Sequence, residues 1–361
     1  VKRLNVNLPG LPVRVTVACA AAALLLAGCE LPRPEVEQVG YRGTGMVQVD
    51  NPRAVKKLAA ANQVPESLPR VEPAGPLAGE IYQNVQVLGD LTVPEFTRVM
   101  QAMTAWVSPE QGCQYCHAGA ELSSDAVYAK KVSRTMLRMT RHINTTWEPH
   151  VRGTGVTCYT CHRGQNVPVN TWSQDPRLDK ARGLAARDTG QNHPASAVAY
   201  ASLPADPFST FLVADNAIRV VGTKALPHGN ATGTKDAEKT YGLMMHISQS
   251  LGVNCTFCHN TRSMAAWDQS SPQRTTAFYG IRMVRDLNVN YVVPTAEWLP
   301  ANRLGPAGDV PKVNCATCHQ GANKPLLGVS MYQDYPELGA PRPPPPAPEP
   351  VPAEGAEAPI T

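Results

Sequence analysis

From Cys113 onward, every cysteine of the 361-residue chain belongs to one five-residue pattern that occurs four times. The copies are Cys113-Gln-Tyr-Cys116-His117, Cys158-Tyr-Thr-Cys161-His162, Cys255-Thr-Phe-Cys258-His259 and Cys315-Ala-Thr-Cys318-His319. Two thiols separated by two residues, with a histidine directly behind, form the C-x-x-C-H signature of covalent c-type haem attachment. The thiols add across the two vinyl groups, and the histidine supplies an axial nitrogen to iron. A redox dithiol needs no histidine. Zinc sites pair C-x-x-C units at knuckle spacing, whereas the gaps here are about 40, 94 and 57 residues. The pattern therefore predicts four covalently bound haems. With all eight thiols so used, none is left for a disulfide framework.

Attachment of this kind takes place outside the cytoplasm, and the N-terminus agrees. Lys2, Arg3 and Arg14 form a basic region, and Val15 to Gly28 an apolar run of fourteen residues. That run is shorter than the roughly 20 residues of a membrane span and suits a signal sequence. It ends in Leu26-Ala27-Gly28-Cys29, which resembles the lipobox of bacterial lipoproteins. Cleavage before Cys29 would leave that residue first in the mature chain and lipidated, and two or more acyl chains anchor stably where one does not. Cys19 lies in the segment that would be removed.

The four copies fall into two kinds. Cys158–Pro168 (CYTCHRGQNVP) and Cys315–Pro325 (CATCHQGANKP) share seven of eleven positions, and Arg138–Asn144 (RMTRHIN) and Arg282–Asn288 (RMVRDLN) share four of seven. A tandem duplication with two haems in each half follows, for which a pseudo-twofold arrangement is the natural packing. The expected divisions are a signal peptide over 1–28, an extended segment over 29–75, first and second two-haem halves over 76–200 and 201–340, and a disordered Pro-rich tail over 341–361.

A helix is expected before each motif. Thr92-Val-Pro94-Glu95 has capping-box spacing, followed by Phe96, Val99, Met100, Met103 and Trp106 at helical intervals. Asp125 is the expected cap of a second helix bearing Val132, Met136, Met139 and Ile143. Thr234 is that of a third bearing Tyr241, Met244, Met245, Ser248 and Leu251, and Ser271-Pro272 opens a fourth. No strand-like alternation of comparable length occurs. With 34 prolines and only 17% charged residues, long irregular connections are expected between mainly helical elements. The net charge of +4 comes without a lysine or arginine block, which argues against nucleic acid as a partner.

Function depends on the sixth ligand of each iron. Met100 lies thirteen residues before Cys113 and Met244 eleven before Cys255, with Met103 and Met245 as their local rivals. A helical methionine is commonly core filling, but an iron within reach makes these two candidate ligands. In the repeated helices Met139 matches Met283, whereas Met136 matches Gly280. Either Met139 and Met283 are both ligands, or Met136 is a ligand that the second half has lost, leaving the fourth iron to a histidine outside the motifs. Of His142, His150, His193, His228 and His246, His150 ranks first narrowly, because it lies in the loop leading toward the second motif.

These features together, with the segment Gly280–Asp286 (GIRMVRD), resemble the tetrahaem cytochrome subunit of purple-bacterial photosynthetic reaction centres, over about Cys29 to Pro336. The resemblance implies Met100 paired with His117, Met136 with His162, Met244 with His259, and His150 reaching across to His319. It implies a non-enzymatic electron-transfer subunit on the periplasmic face of the bacterial inner (photosynthetic) membrane, held there through Cys29. Its partners would be the core subunits with their bacteriochlorophyll special pair and a small periplasmic donor, a cytochrome c or a high-potential iron–sulfur protein. It further implies a row of haems in which the third lies nearest the pigment, followed by the fourth, second and first. Arg274, in the first turn of the fourth helix, is expected to meet a propionate of the third haem. The competing functions are a multihaem reductase, which requires an open iron position, and a free-standing periplasmic carrier.

Overall fold

A computed structural model describes residues 32–176, 195–221 and 232–343; Cys29, His193, His228 and the tail beyond 343 lie outside them. The described chain is mainly helical with long irregular connections. In chain order its α-helices are α1 (Pro52–Ala61), α2 (Ala78–Ile81), α3 (Val93–Val107), α4 (Tyr128–Thr146), α5 (Glu148–Val151), α6 (Cys158–His162), α7 (Thr234–Leu251), α8 (Pro272–Leu287) and α9 (Cys315–His319).

The expected start of α3 is present: the Thr92 amide and hydroxyl both donate to Glu95 Oε2, at 3.0 and 2.8 Å. Ser271 caps α8 with Pro272 in its first turn, and its hydroxyl donates to Phe257 O inside the third motif at 2.7 Å. Two expected caps are corrected. Val127 stands at the cap of α4, because Asp125 is engaged by Arg134 and Lys130. Gly233 caps α7, its amide donating to Asp236 Oδ2 at 2.9 Å, and Thr234 is the first helical residue.

The described part of the segment expected as extended has structure of its own. Strands β1 (Glu35–Gln38) and β2 (Val47–Asp50) pair antiparallel, with Val36 opposite Val49. The amide of Val49 donates to Asn254 Oδ1 at 2.8 Å, so the hairpin lies against the third motif. Beyond it, Asn62 at the end of α1 accepts from Arg163 at 3.1 Å beside the second motif.

Two apolar cores support the motifs. One joins Leu88, Leu91, Val99, Ala102, Trp106 and Leu137 to Leu326, Met331, Tyr335 and Leu338 from the far end of the chain. The other joins Ile143, Val156 and Trp172 to Phe211, Leu243, Ile281 and Leu287. Each core thus draws residues from both sides of the expected boundary at 200/201, which does not separate two independent cores. Arg98 fixes the returning segment from within the first core. It donates to Leu68 O, Pro69 O and Asp334 O at 2.8–2.9 Å, pairs with Glu337 at 3.1 Å and lies over the Tyr335 ring. The start of the Pro-rich tail is held as well: Arg342 pairs with Glu95 on α3.

Candidate haem-binding site

The four motif histidines are oriented in the same way. His117 Nδ1 meets Leu122 O at 2.9 Å, His162 Nδ1 meets Gln165 O at 2.8 Å, and His259 and His319 meet Met264 O and Ala322 O at 2.9 Å each. A ring whose Nδ1–H is given to a carbonyl has its Nε2 lone pair free for a metal, and a second partner of this kind is what ligating histidines ordinarily have. Burial pushes His162 and His259 below the ordinary imidazole range. Burial, together with the neighbouring His150, pushes His319 down to about 4. For these three rings the shift favours the neutral form, the one that binds iron.

The geometry also separates the motifs into two kinds. The accepting carbonyl is five residues past the histidine in the first and third, and three past it in the second and fourth. In the second and fourth alone, the motif is a capped helical turn ending in a left-handed residue, Arg163 or Gln320. Gly164 N donates to Trp106 O at the end of α3, and Gly321 N donates to Ser250 O at the end of α7, both at 2.8 Å. The same bond therefore ties each paired motif to the helix that precedes its partner.

Two clefts open beside these histidines. One, of about 230 Å³, is lined by Met100, His117, Met136 and His162 together with Cys113 and Cys158. The other, of about 440 Å³, is lined by His150, Gly280, Cys315 and His319. The structure thus brings Met100 and Met136 to the first two motifs, and His150 to the fourth. Met244 and His259 line neither cleft; Met244 is half-buried against the second core. Met103 and Met139 line the first cleft as well, Met139 and Met283 line the second, and both Met139 and Met283 also pack in the second core.

His150 sits on α5 against α8, with Nδ1 on Thr276 O at 2.9 Å, so it too has Nε2 free. Its ring centre lies 6.0 Å from that of His319. Two imidazoles on opposite faces of one metal, each about 2 Å from it, have a separation of this order. The rival histidines are engaged differently. His142 meets Asp286 through Nε2 at 2.6 Å. His246 is buried beside Phe208, its Nε2 is on Ser250 Oγ at 3.1 Å, and burial lowers it to about 4.

Cys113 and Cys255 are exposed, whereas Cys116, Cys158, Cys258 and Cys315 are partly buried. Burial pushes Cys158 and Cys315 up to about 12 and Cys258 to about 11, which favours the neutral thiol at each. The exclusion of every disulfide is corrected at one place: Cys161 and Cys318 are joined, with Cα atoms 4.4 Å apart. A sulfur that has added to a vinyl group has no valence for this bond, so the disulfide and thioether attachment at these two residues exclude each other. Both require the second and fourth motifs to stand side by side. Arg274 lies beside the third motif, where its guanidinium donates to Ala266 O and Ser270 Oγ at 2.8 and 2.7 Å and stacks on Trp267.

Sequence reasoning missed three groups at the first cleft. Arg303, from the opposite end of the chain, donates to Tyr128 Oη at 3.0 Å, and Tyr115 lies beside them. Only the isolated positions of these residues are visible in the sequence; no spacing relates 303 to 128.

The family model described as "Photosynthetic reaction centre cytochrome C subunit" matches residues 30–339. The chain is 53% identical over 325 residues to the photosynthetic reaction center cytochrome c subunit of Rubrivivax gelatinosus, covering 90% of this chain and 88% of the relative. To the subunit of the same name from Thermochromatium tepidum it is 52% identical over 330 residues, covering 91% and 81%. To that of Roseobacter denitrificans it is 38% identical over 328 residues, covering 85% and 86%. The motifs, their oriented histidines and these relatives agree: the chain belongs to the family of photosynthetic reaction centre cytochrome c subunits.

Proposed function

We propose that this chain carries four haems in two pseudo-twofold-related pairs and passes electrons through them to the photo-oxidised bacteriochlorophyll special pair. As a member of its family, it is an electron-transfer subunit of the photosynthetic reaction centre, not an enzyme. It holds covalently bound haem c and is associated with the reaction-centre core and the photosynthetic membrane. The bound iron supplies a one-electron ferric–ferrous couple.

The cysteines of the four motifs would attach the haems, with Cys161 and Cys318 as thioethers in place of their disulfide, and His117, His162, His259 and His319 would hold the irons from one side. Met100, Met136 and Met244 would hold the first three from the other side, and His150 the fourth. Thioether favours ferrous iron and imidazole favours ferric iron, so this ligand set makes the fourth site lower in potential than ligand type would make the others. The placement of His150 opposite His319, on the cleft that Gly280 opens, is the observation that carries the assignment. The matched bonds at Gly164 and Gly321 support the two-half arrangement.

A reductase would need an iron with an open position, and a sixth ligand can be named for each of the four. Among the described residues no helix is long and apolar enough to cross a membrane. Attachment through lipid on Cys29, at the periplasmic face, rests on the lipobox; a mature chain with an unmodified Cys29 by mass spectrometry would overturn it. A small cytochrome c or high-potential iron–sulfur protein is the proposed donor. Flash excitation of membranes should show haem oxidation following pigment oxidation. The reduced protein should bind no carbon monoxide; binding at any iron would favour the reductase.

A further inference from the structure

The third residue of α4 is a lysine buried beside the first motif. Lys130 is 7% exposed, and its ammonium donates to Leu122 O at 2.7 Å and to Ser124 O at 2.9 Å. The same Leu122 carbonyl accepts Nδ1–H of His117 at 2.9 Å. One oxygen therefore joins a buried cation to the histidine that would ligate the first iron. The third residue of α8 is Arg274, the corresponding cation of the second half. It reaches Ala266 O, Ala265 O and Ser270 Oγ, whereas His259 is held by Met264 O. The two halves thus use the same device with one difference: only in the first does the cation share the histidine's carbonyl.

We propose that Lys130 is a positioning residue that raises the potential of the first haem through Leu122 O and His117. This rests on the assignment of His117 as an iron ligand. Two effects act in the same direction. A carbonyl already receiving an ammonium is a poorer acceptor for the Nδ1–H, so the imidazole keeps less imidazolate character and stabilises ferric iron less. A buried positive charge near the iron also favours the ferrous state, which carries one positive charge fewer. Asp125, 3.5 Å from the ammonium, and Arg134, which pairs with Asp125, set the net charge of the cluster.

The test is a redox titration of the full haem-loaded protein with Lys130→Gln, Lys130→Arg and Asp125→Asn, haem attachment at each motif being checked by mass spectrometry of haem peptides. In Lys130→Gln one of the midpoints falls and the rest move far less, and Lys130→Arg, which keeps charge and donor, restores it. Asp125→Asn, which removes the counter-charge and leaves the lysine in place, raises the same midpoint and keeps the proposal testable if the glutamine variant fails to mature. Unchanged midpoints in these variants, or a fall shared equally by several haems, would overturn the role of Lys130. A wild-type chain without haem on Cys113 and Cys116 would instead overturn the assignment beneath it.

Discussion

His142 and Asp286 hold equivalent positions in the two repeated helices, α4 and α8, and they meet each other at 2.6 Å. A contact between equivalent positions is what a twofold relation between the helices produces at its axis. The aligned segments RMTRHIN and RMVRDLN differ at this place, so that a histidine faces a carboxylate. Burial acting alone would raise Asp286, but hydrogen bonds from Asn290, His142 and Trp147 outweigh it and hold the carboxyl low.

His142→Met should therefore leave every haem ligand set unchanged while removing one donor from Asp286. The expected loss is about 1–3 kcal/mol of stability. Denaturant unfolding measures the loss, and ferric-haem spectroscopy checks that the ligands are intact. A lost bis-histidine signal would transfer the distal role from His150 to His142.

Gly280 should tolerate no side chain. A Cβ there would stand 2.5 Å from Cε1 and 2.8 Å from Nδ1 of His150. Gly280→Ala should push His150 off the fourth iron, abolish the one bis-histidine signal and open that iron to carbon monoxide. An intact signal would show that His150 is held elsewhere.

His150→Met asks the same question through the potential. If the thioether reaches the iron, the bis-imidazole haem becomes His/Met and its midpoint rises, while the other three respond only through inter-site electrostatics. Retention of one bis-histidine spectrum in this variant would assign the ligand to another histidine.

Arg98 should be indispensable to the joining of the halves. Arg98→Met leaves Glu337 buried without its cation and removes the donors to Leu68, Pro69 and Asp334. Breaking one side of a buried pair costs about 3–5 kcal/mol. Chemical denaturation should show that loss, and a variant within 1 kcal/mol of wild type, roughly the worth of an exposed pair, would refute the buried role.

Glu95 makes the Arg342 clasp dependent on pH. Burial pushes its carboxyl up, but Arg342 and Thr92 outweigh that and leave it lowered. Its contribution is present above the unfolded value and lost as pH falls through the folded one. Arg342→Gln removes the largest lowering partner, so protonation and the loss of stability begin at higher pH. An acid-unfolding titration should shift upward accordingly; no shift would mean that the clasp adds nothing.

The four C-x-x-C-H motifs, their division into two kinds, and the capping box at Thr92 are local in the chain, so spacing alone determined them. The same holds for the start of α8 at Ser271-Pro272, where one residue's backbone restriction sets the helix end. Other choices depended on residues far apart in sequence. Met136 and Met139 sit on one helix, carry the same chemistry and both line the first cleft, but Met139 also reaches the second cleft and packs on the second core, a difference that only the tertiary fold creates. Asp125, placed to cap α4, instead accepts from the distant Asn84 as well as from Arg134 and Lys130. Arg98 and Glu95 are both buried, because partners from distant parts of the chain, Glu337 and Arg342, replace their water. The same physics placed Arg303 beside Tyr128 and brought the segment from Leu326 to Leu338 into the first half's core. What a chain does with its near neighbours is written in its order; which buried charge finds a partner is settled only when distant segments meet.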